Sequence, residues 1–180
     1  MKLLKRVAII GPESTGKSWL TNELAKYYNT NKVDEYAREY FRERKYEYSL
    51  NDLIDIAIGQ TKNEENIASI SKGIIFCDTE LITLKIWASE VFSSIPDFIE
   101  SQIIEKQYDL YLVCYPDLVW EQDPLRTNPH NRKYIYNLFV KELRKNNCNF
   151  RIIKEKGVHR LNNAVKFVDE LLKNGKTHNE

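Results

Sequence analysis

Continuously apolar runs of strand length alternate along this chain with longer stretches that repeat their apolar positions every three or four residues. The apolar runs cover residues 6–10, 73–78, 109–115 and 149–153, and a short further strand is predicted near 32–33. Strands that are apolar at consecutive positions are typical of a sheet that is buried on both faces. The pattern therefore predicts an α/β fold in three layers, with a five-stranded parallel sheet between two layers of helices.

The stretches between the strands are predicted to be helices. They cover residues 16–28, 36–44, 51–71, 80–92, 96–107, 133–146 and about 161–172. Residues 116–129 contain three prolines and no clear period, which indicates a loop. No shift in composition divides the chain, so we expect one domain over residues 1–175, followed by a frayed tail at 176–180.

Composition and charge exclude several classes of protein. The chain has 180 residues, of which 42% are hydrophobic, and its net charge is +1. This balance produces no broad positive field, so a nucleic-acid partner is not expected. No apolar run is long enough for a membrane span, the N-terminus is a poor signal peptide, and the three cysteines have no paired spacing. We therefore expect reduced cysteines in a cytoplasmic protein without a membrane partner.

The stretch GPESTGKS, residues 11–18, matches the phosphate-binding pattern G-x-x-x-x-G-K-[ST] and lies between a buried strand and a helix. Its glycines let backbone N–H groups turn inward toward phosphate oxygens, and the helix adds its positive N-terminal end. Lys17 is expected to reach the β- and γ-phosphates, and Ser18 to ligate Mg²⁺. A plain glycine turn is the alternative. The predicted nucleotide-binding residues are Gly11, Glu13, Ser14, Thr15, Gly16, Lys17, Ser18 and Trp19.

A second acidic element, IIFCDTE, ends the third predicted strand. Ligands of open α/β sheets bind at the carboxyl ends of the strands, so Asp78 is placed where an acid would hold Mg²⁺ directly or through water. A solvated strand end is the alternative. Glu80 is expected either to cap the following helix or to face a substrate.

The irregular stretch WEQDPLRTNPHNRK, residues 120–133, has features of a lid. Arg132 falls at a predicted helix N-terminus, where the dipole disfavours a cation unless an anion lies near. A flap that brings Arg126 and Arg132 over the phosphates would stabilise a phosphoryl-transfer transition state and exclude water. A surface loop with solvated charges is the alternative.

The segment DEYAREY, residues 34–40, follows the second strand and offers an acceptor site. Glu35 could accept a proton from a substrate hydroxyl, Tyr36 and Tyr40 could form an aromatic wall, and Arg38 could brace the acids. An ordinary amphipathic helix is the alternative. Gln60 lies on the apolar stripe of the next helix, where it would either recognise a polar substrate edge or bond to the backbone.

Five motifs occur in order along the chain, namely RVAIIGPESTGKSWL, DEYAREY, IAIGQ, FCDTE and VWEQDPLR. Together they resemble the ribosylnicotinamide kinase family, specifically the kinase domain of the bifunctional bacterial NAD-salvage proteins, over about residues 5–172. The resemblance implies a P-loop kinase fold with strand order 2-3-1-4-5 and a lid, with ATP and Mg²⁺ as cofactors. It also implies transfer of the ATP γ-phosphoryl group to the 5′-hydroxyl of nicotinamide riboside.

The resemblance also implies roles for individual residues. The candidate catalytic residues are then Lys17, Glu35, Asp78, Arg126 and Arg132, and the candidate metal ligands are Ser18 and Asp78. The candidates for binding the riboside are Glu35, Tyr36, Arg38, Gln60, Glu80, Trp120 and Asp123. Trp120 and Asp123 would lie at the base of the lid.

The sequence departs from the family in two respects. Residue 19 is Trp, where many such loops carry a compact residue, but no required ligand is lost. The chain begins at its first strand, so we expect the nucleotidyltransferase activity of the bifunctional relatives to be absent. Either Asp78 or the Asp34–Glu35 pair could act as the base, and ATP is not distinguished from GTP. A kinase of another nucleoside or small metabolite and a regulatory ATP-binding module remain as alternatives.

Overall fold

The structure is a computed structural model that describes residues 4–42, 44, 48–105, 108–123 and 130–174. Its five strands are β1 Lys5–Ile10, β2 Lys32–Val33, β3 Ile74–Asp78, β4 Leu110–Cys114 and β5 Phe150–Ile153. All neighbouring strands pair in parallel, in the order β2-β3-β1-β4-β5. The strand number and order expected from the sequence are therefore confirmed.

The helices follow the predicted pattern closely. They are α1 Lys17–Tyr27, α2 Tyr36–Arg42, α3 Leu50–Ile70, α4 Leu81–Phe92, α5 Asp97–Glu105, α6 Arg132–Lys145 and α7 Gly157–Asn174. The largest difference is at α7, which begins one turn before its apolar series. The second half of the predicted loop and the predicted frayed tail lie outside the described residues.

Both faces of the sheet are buried, as the unbroken apolar strands predict. Successive strand residues point to opposite faces, so Ile9 packs in a cluster with Leu20 of α1 and Val168 of α7. Its neighbour Ile10 belongs to the cluster on the other face, which includes Ile82 of α4. Helices α1 and α7 thus form one outer layer and α2 to α6 form the other.

The parallel arrangement brings distant motifs to one edge of the sheet. The loop 11–16 follows β1, the acidic residues 34–35 follow β2, and Asp78 is the last residue of β3. The segments 115–123 and 154–156 follow β4 and β5. Because the carboxyl ends of parallel strands share one edge, all five segments border the same region.

The three cysteines occupy different positions in the fold. Cys77 and Cys114 are buried in the sheet, Cys148 is partly buried, and all three are free thiols. None of the helices in the described part of the chain is both long enough and apolar enough to cross a membrane.

Candidate active site

The loop after β1 is compact, and two of its side chains bond to its own backbone. Gly11 has a φ of +138°, and a Cβ atom there would lie 2.6 Å from the carbonyl oxygen of Cys114, so only glycine fits. The Thr15 hydroxyl and the Lys17 ammonium both donate to the carbonyl oxygen of Pro12, at 2.7 and 2.9 Å. The lysine therefore already lies over the concavity that a phosphate would enter.

One cleft of about 700 Å³ extends from this loop toward α4 and α6. All of the predicted nucleotide-binding residues line it, together with Glu35, Arg38 and Arg132. Its far half is lined by Tyr48, Thr83, Ile86, Trp87, Glu90, Val91, Ile135 and Phe139. Sequence reasoning missed this second group, because apolar residues on helices carry the same signal whether they face a core or a pocket.

Asp78 and Ser18 are brought together at the edge of the sheet. Asp78 is 2% exposed, and its Oδ1 has no hydrogen-bond partner among the described residues. Burial and the neighbouring Glu35 charge raise the pKa of Asp78 to about 6, against the opposing effects of Ser18 and Lys17. A buried carboxylate oxygen with a free lone pair beside a hydroxyl fits the oxygen ligands that Mg²⁺ prefers.

Glu80 is buried and caps α4. Its Oε2 accepts a hydrogen bond from the Ile82 backbone N–H at 2.9 Å, and the residue is 2% exposed. Burial raises the pKa of Glu80 to about 8. Of the two predicted roles, the structure therefore shows the cap, and the side chain does not line the cleft as expected for a riboside ligand.

The IAIGQ motif of α3 holds the start of α2. The Gln60 side-chain oxygen accepts a hydrogen bond from the Tyr36 backbone N–H at 2.9 Å. A Cβ atom on Gly59 would lie 2.0 Å from Cε1 of the Tyr36 ring, so that ring packs directly on the glycine. Gln60 is 3% exposed, so the structure shows backbone bonding rather than contact with a substrate.

The aromatic wall differs from the expected one. Tyr40 is buried, and its hydroxyl donates to Asp52 at 2.6 Å, while Tyr36 packs against α3. Other aromatic residues line the cleft instead, among them Tyr48 and Trp87, whose ring centroids are 5.1 Å apart. Tyr36 and Tyr40, the expected i, i+4 pair on α2, pack against α3 instead of forming a wall of the cleft. The same spacing on a helix suits both roles.

The predicted base of the lid is tied both to α2 and to the loop after β1. Arg38 donates to Glu35 at 2.9 Å and to Asp123 at 3.1 Å. The Trp120 indole donates to Glu13 at 3.2 Å. These contacts link Arg38 and Glu35, which line the cleft, to Asp123, and they link Trp120 to the loop after β1. Trp120 and Asp123 are not among the described residues that line the cleft.

Arg132 is the first residue of α6 and lines the cleft beside the loop. Its Nη1 donates to the carbonyl oxygens of Leu118 at 2.9 Å and Ser14 at 3.3 Å. A guanidinium at this helix N-terminus opposes the helix dipole, which favours a bound anion nearby. Arg126, the other predicted lid arginine, lies outside the described residues.

The fold and the site define a P-loop protein of the kinase type. Residues 6–160 match the family described as AAA domain, and the chain belongs to that family.

Curated relatives agree with the resemblance that the motifs indicated. The chain is 31% identical over 160 residues to the trifunctional NAD biosynthesis/regulator protein NadR of Salmonella typhimurium. It is 30% identical over 178 residues to the protein of that name from Escherichia coli. The matches cover 84% and 94% of this chain but 38% and 43% of the relatives, so the chain spans less than half of their length.

Solved structures show the same fold. The NadR protein in complex with NAD and AMP-PNP superposes with a TM-score of 0.78, and the complex with NR with 0.79. Both are 23% identical, and the matches cover 94% of this chain and 49% and 50% of those chains. Thymidylate kinase from Ehrlichia chaffeensis matches with a TM-score of 0.64 at 16% identity, over 94% of this chain and 98% of its own. The predicted P-loop kinase fold is therefore confirmed.

Proposed function

We propose that this chain is an ATP- and Mg²⁺-dependent kinase that phosphorylates the 5′-hydroxyl of nicotinamide riboside to give the mononucleotide. The observation that carries the proposal is one continuous cleft, about 700 Å³ in volume, that joins the phosphate-binding loop to a pocket with aromatic and acidic walls. The relatives named for NAD biosynthesis and the similar structure with bound NR support this choice of acceptor.

The loop side of the cleft would bind the triphosphate of ATP. Lys17 would exchange the Pro12 carbonyl for the β- and γ-phosphate oxygens, and backbone N–H groups of residues 11–18 would hold the remaining charge. Ser18 and Asp78 would hold Mg²⁺, which supplies neutralisation of the phosphate charge when it is bound.

The far side of the cleft suits a cationic aromatic ring. Trp87 and Tyr48 present aromatic surface, with the Trp87 indole N–H fixed on the Tyr48 hydroxyl at 2.7 Å. Glu35 and Glu90 line the same cleft and carry negative charge. Aromatic faces and carboxylates together favour a pyridinium cation, which nicotinamide riboside carries and ordinary nucleosides lack.

Transfer requires the riboside hydroxyl to face the γ-phosphorus. The hydroxyl oxygen forms the new P–O bond while the bond to the β-phosphate bridging oxygen breaks, and the hydroxyl proton passes to Glu35 or Asp78. Because the transition state is loose, most of the catalysis comes from positioning and from charge stabilisation, to which Arg132 would contribute.

The test is an ATP-consumption assay with Mg²⁺ over a panel of nicotinamide riboside, ordinary nucleosides and nucleoside monophosphates, with products identified by mass. The expected result is one mononucleotide product from nicotinamide riboside. Lys17→Ala should lower turnover by about 10²–10³-fold, whereas Lys26→Ala, on the exposed side of α1, should leave it unchanged.

Other outcomes of the assay would contradict parts of the proposal. Transfer only to another nucleoside would replace the acceptor and keep the kinase assignment. ATP binding without acceptor-dependent consumption would favour a regulatory ATP-binding module. Near-normal turnover of the Lys17→Ala variant would contradict the role of the loop.

A further inference from the structure

Arg160 is a fully buried cation that lines the cleft beside Gly157, and the proposed reaction assigns it no role. It lies in the first turn of α7 and is 0% exposed. Its Nη1 donates to the carbonyl oxygen of Thr15 at 3.1 Å, its Nε donates to that of Glu155 at 2.5 Å, and its Nη2 pairs with Asp117. One guanidinium therefore bonds to the loops that follow β1, β4 and β5.

Asp117 closes this network into a ring. Its second oxygen, Oδ2, accepts a hydrogen bond from the Glu155 backbone N–H at 2.6 Å. Glu155 has a φ of +70°, a strained conformation for a residue with a side chain. The ring of Arg160, Asp117 and Glu155 holds residues 154–156 in this conformation, directly before Gly157, which lines the cleft.

The contact with Thr15 fixes the orientation of a peptide group in the phosphate loop. In a planar trans peptide the carbonyl oxygen of one residue and the N–H of the next point in opposite directions. Because Arg160 holds the Thr15 carbonyl, the N–H of Gly16 is directed away from Arg160. Gly16 caps α1 and lines the cleft, where a correctly oriented N–H can donate to a phosphate oxygen.

We propose that Arg160 is a positioning residue for the nucleotide. Arg160 fixes the distance between the phosphate loop, residues 11–18, and the loop 154–157, so that one nucleoside triphosphate spans both. Asp117 is its partner on the side of the loop 154–157. The inference rests on the proposed function only in that the ligand of the loop is a nucleoside triphosphate. Arg160 is assigned this positioning role because its described hydrogen bonds go to protein atoms.

Two substitutions separate the parts of this network. Arg160→Lys removes the planar fork, so one ammonium group cannot bond to all three loops in the same geometry. Asp117→Asn leaves one side-chain oxygen, so it keeps the bond to Arg160 and loses the bond to the Glu155 N–H. Arg151→Lys is the matched control, because Arg151 lies exposed on β5 with local partners.

The experiment measures binding of ATP and of inorganic tripolyphosphate by calorimetry, with Mg²⁺ and without any acceptor. Arg160→Lys should raise the Kd of both probes, that of ATP by about 10-fold or more. Asp117→Asn should raise the Kd of ATP by at least threefold and leave that of tripolyphosphate within twofold. Arg151→Lys should change neither.

Folded variants that bind ATP within twofold of the wild-type protein would overturn the inference and leave Arg160 as an anchor of α7 alone. If Arg160→Lys does not fold, the Kd values of ATP and of tripolyphosphate for Asp117→Asn test the inference instead. A wild-type protein that binds ATP but phosphorylates no acceptor would contradict the proposed function and leave this inference standing.

Discussion

Asp78 is buried although the proposed chemistry needs its negative charge. In the folded protein its pKa is raised from 3.8 to about 6, so the protonated form is favoured over a range in which the unfolded chain is ionised. Its contribution to stability is present in full below about pH 4 and is lost as the pH rises through about 6. A bound cation would favour the ionised form and reverse this penalty.

Asp78→Asn removes this titration. Between pH 4 and pH 8, the free energy of unfolding of the variant minus that of the wild-type protein should rise by about 3 kcal/mol, from a shift of about two pKa units. Urea unfolding without nucleotide at several pH values measures it. Glu80→Gln is the comparison: its pKa is raised from 4.5 to about 8, so the corresponding rise should begin near pH 4.5 and continue to about pH 8, whereas that of Asp78→Asn should end near pH 6. A difference that does not change with pH would contradict the assignment for Asp78.

Glu35 lines the cleft, and its charge acts on Asp78. It bonds to Arg38, and its charge helps to raise the pKa of Asp78. Glu35→Gln should raise the KM for nicotinamide riboside by about 10-fold or more, since hydrogen bonds to charged groups are the stronger ones. It should leave the Kd of ATP nearly unchanged. Glu39→Gln, on the exposed side of α2, is the control, and a larger effect on ATP binding would move Glu35 to the metal site.

At the scale of elements, helix α3 determines where α2 begins. Gly59 leaves space for the Tyr36 ring, and Gln60 bonds to the Tyr36 N–H. Gly59 and Gln60 of the IAIGQ motif therefore both contact Tyr36 of the DEYAREY motif. Contacts with α3 in this way fix the start of α2, which carries Arg38 and directly follows Glu35.

Gly59→Ala places a methyl group inside the Tyr36 ring position and should displace α2. We expect a loss of about 1–3 kcal/mol in the free energy of unfolding, as for other overpacked cores. The KM for the riboside should rise more than the Kd of ATP, because the atoms nearest to a Cβ on Gly59 belong to the Tyr36 ring at the start of α2. Asn66→Ala, on the exposed side of α3, is the control. An unchanged KM would show that the position of α2 does not matter to the acceptor.

The sequence predicts the positions of strands and helices better than it predicts which of their side chains line the cleft. The parallel sheet and the loop at 11–18 could be predicted because unbroken apolar runs and glycine spacing have few structural solutions. The strand order was implied only by the resemblance to the kinase family. The roles of Trp87 and Arg160 could not be predicted. In the sequence, Trp87 resembles a core residue of an amphipathic helix, and Arg160 resembles a charged residue on an exposed helix face. Their roles depend on long-range packing, which brings Trp87 against Tyr48 and Arg160 against Thr15.

At the scale of the whole molecule, the proposed donor and acceptor sides of the cleft are connected through the segment 120–123. The loop after β1 contacts the segment 120–123 through Glu13 and Ser14, and that segment contacts α2 through Asp123 and Arg38. A ligand that orders either half therefore reduces the entropy that the second ligand must still lose. The two ligands are expected to bind with positive coupling, and the coupling is reciprocal.

This coupling can be measured by thermal unfolding with AMP-PNP and Mg²⁺, with nicotinamide riboside, and with both. Each ligand alone at about 100 times its Kd should add about 2.7 kcal/mol, or roughly 5–10 °C in Tm for a chain of this size. The two together should exceed the sum of the single shifts in the wild-type protein. Asp123→Asn weakens the ion pair to Arg38, so it should keep the single shifts and remove the excess. Additive shifts in the wild-type protein would mean that the two halves of the cleft bind independently, and the connection through Arg38 would then serve only to hold α2 in place.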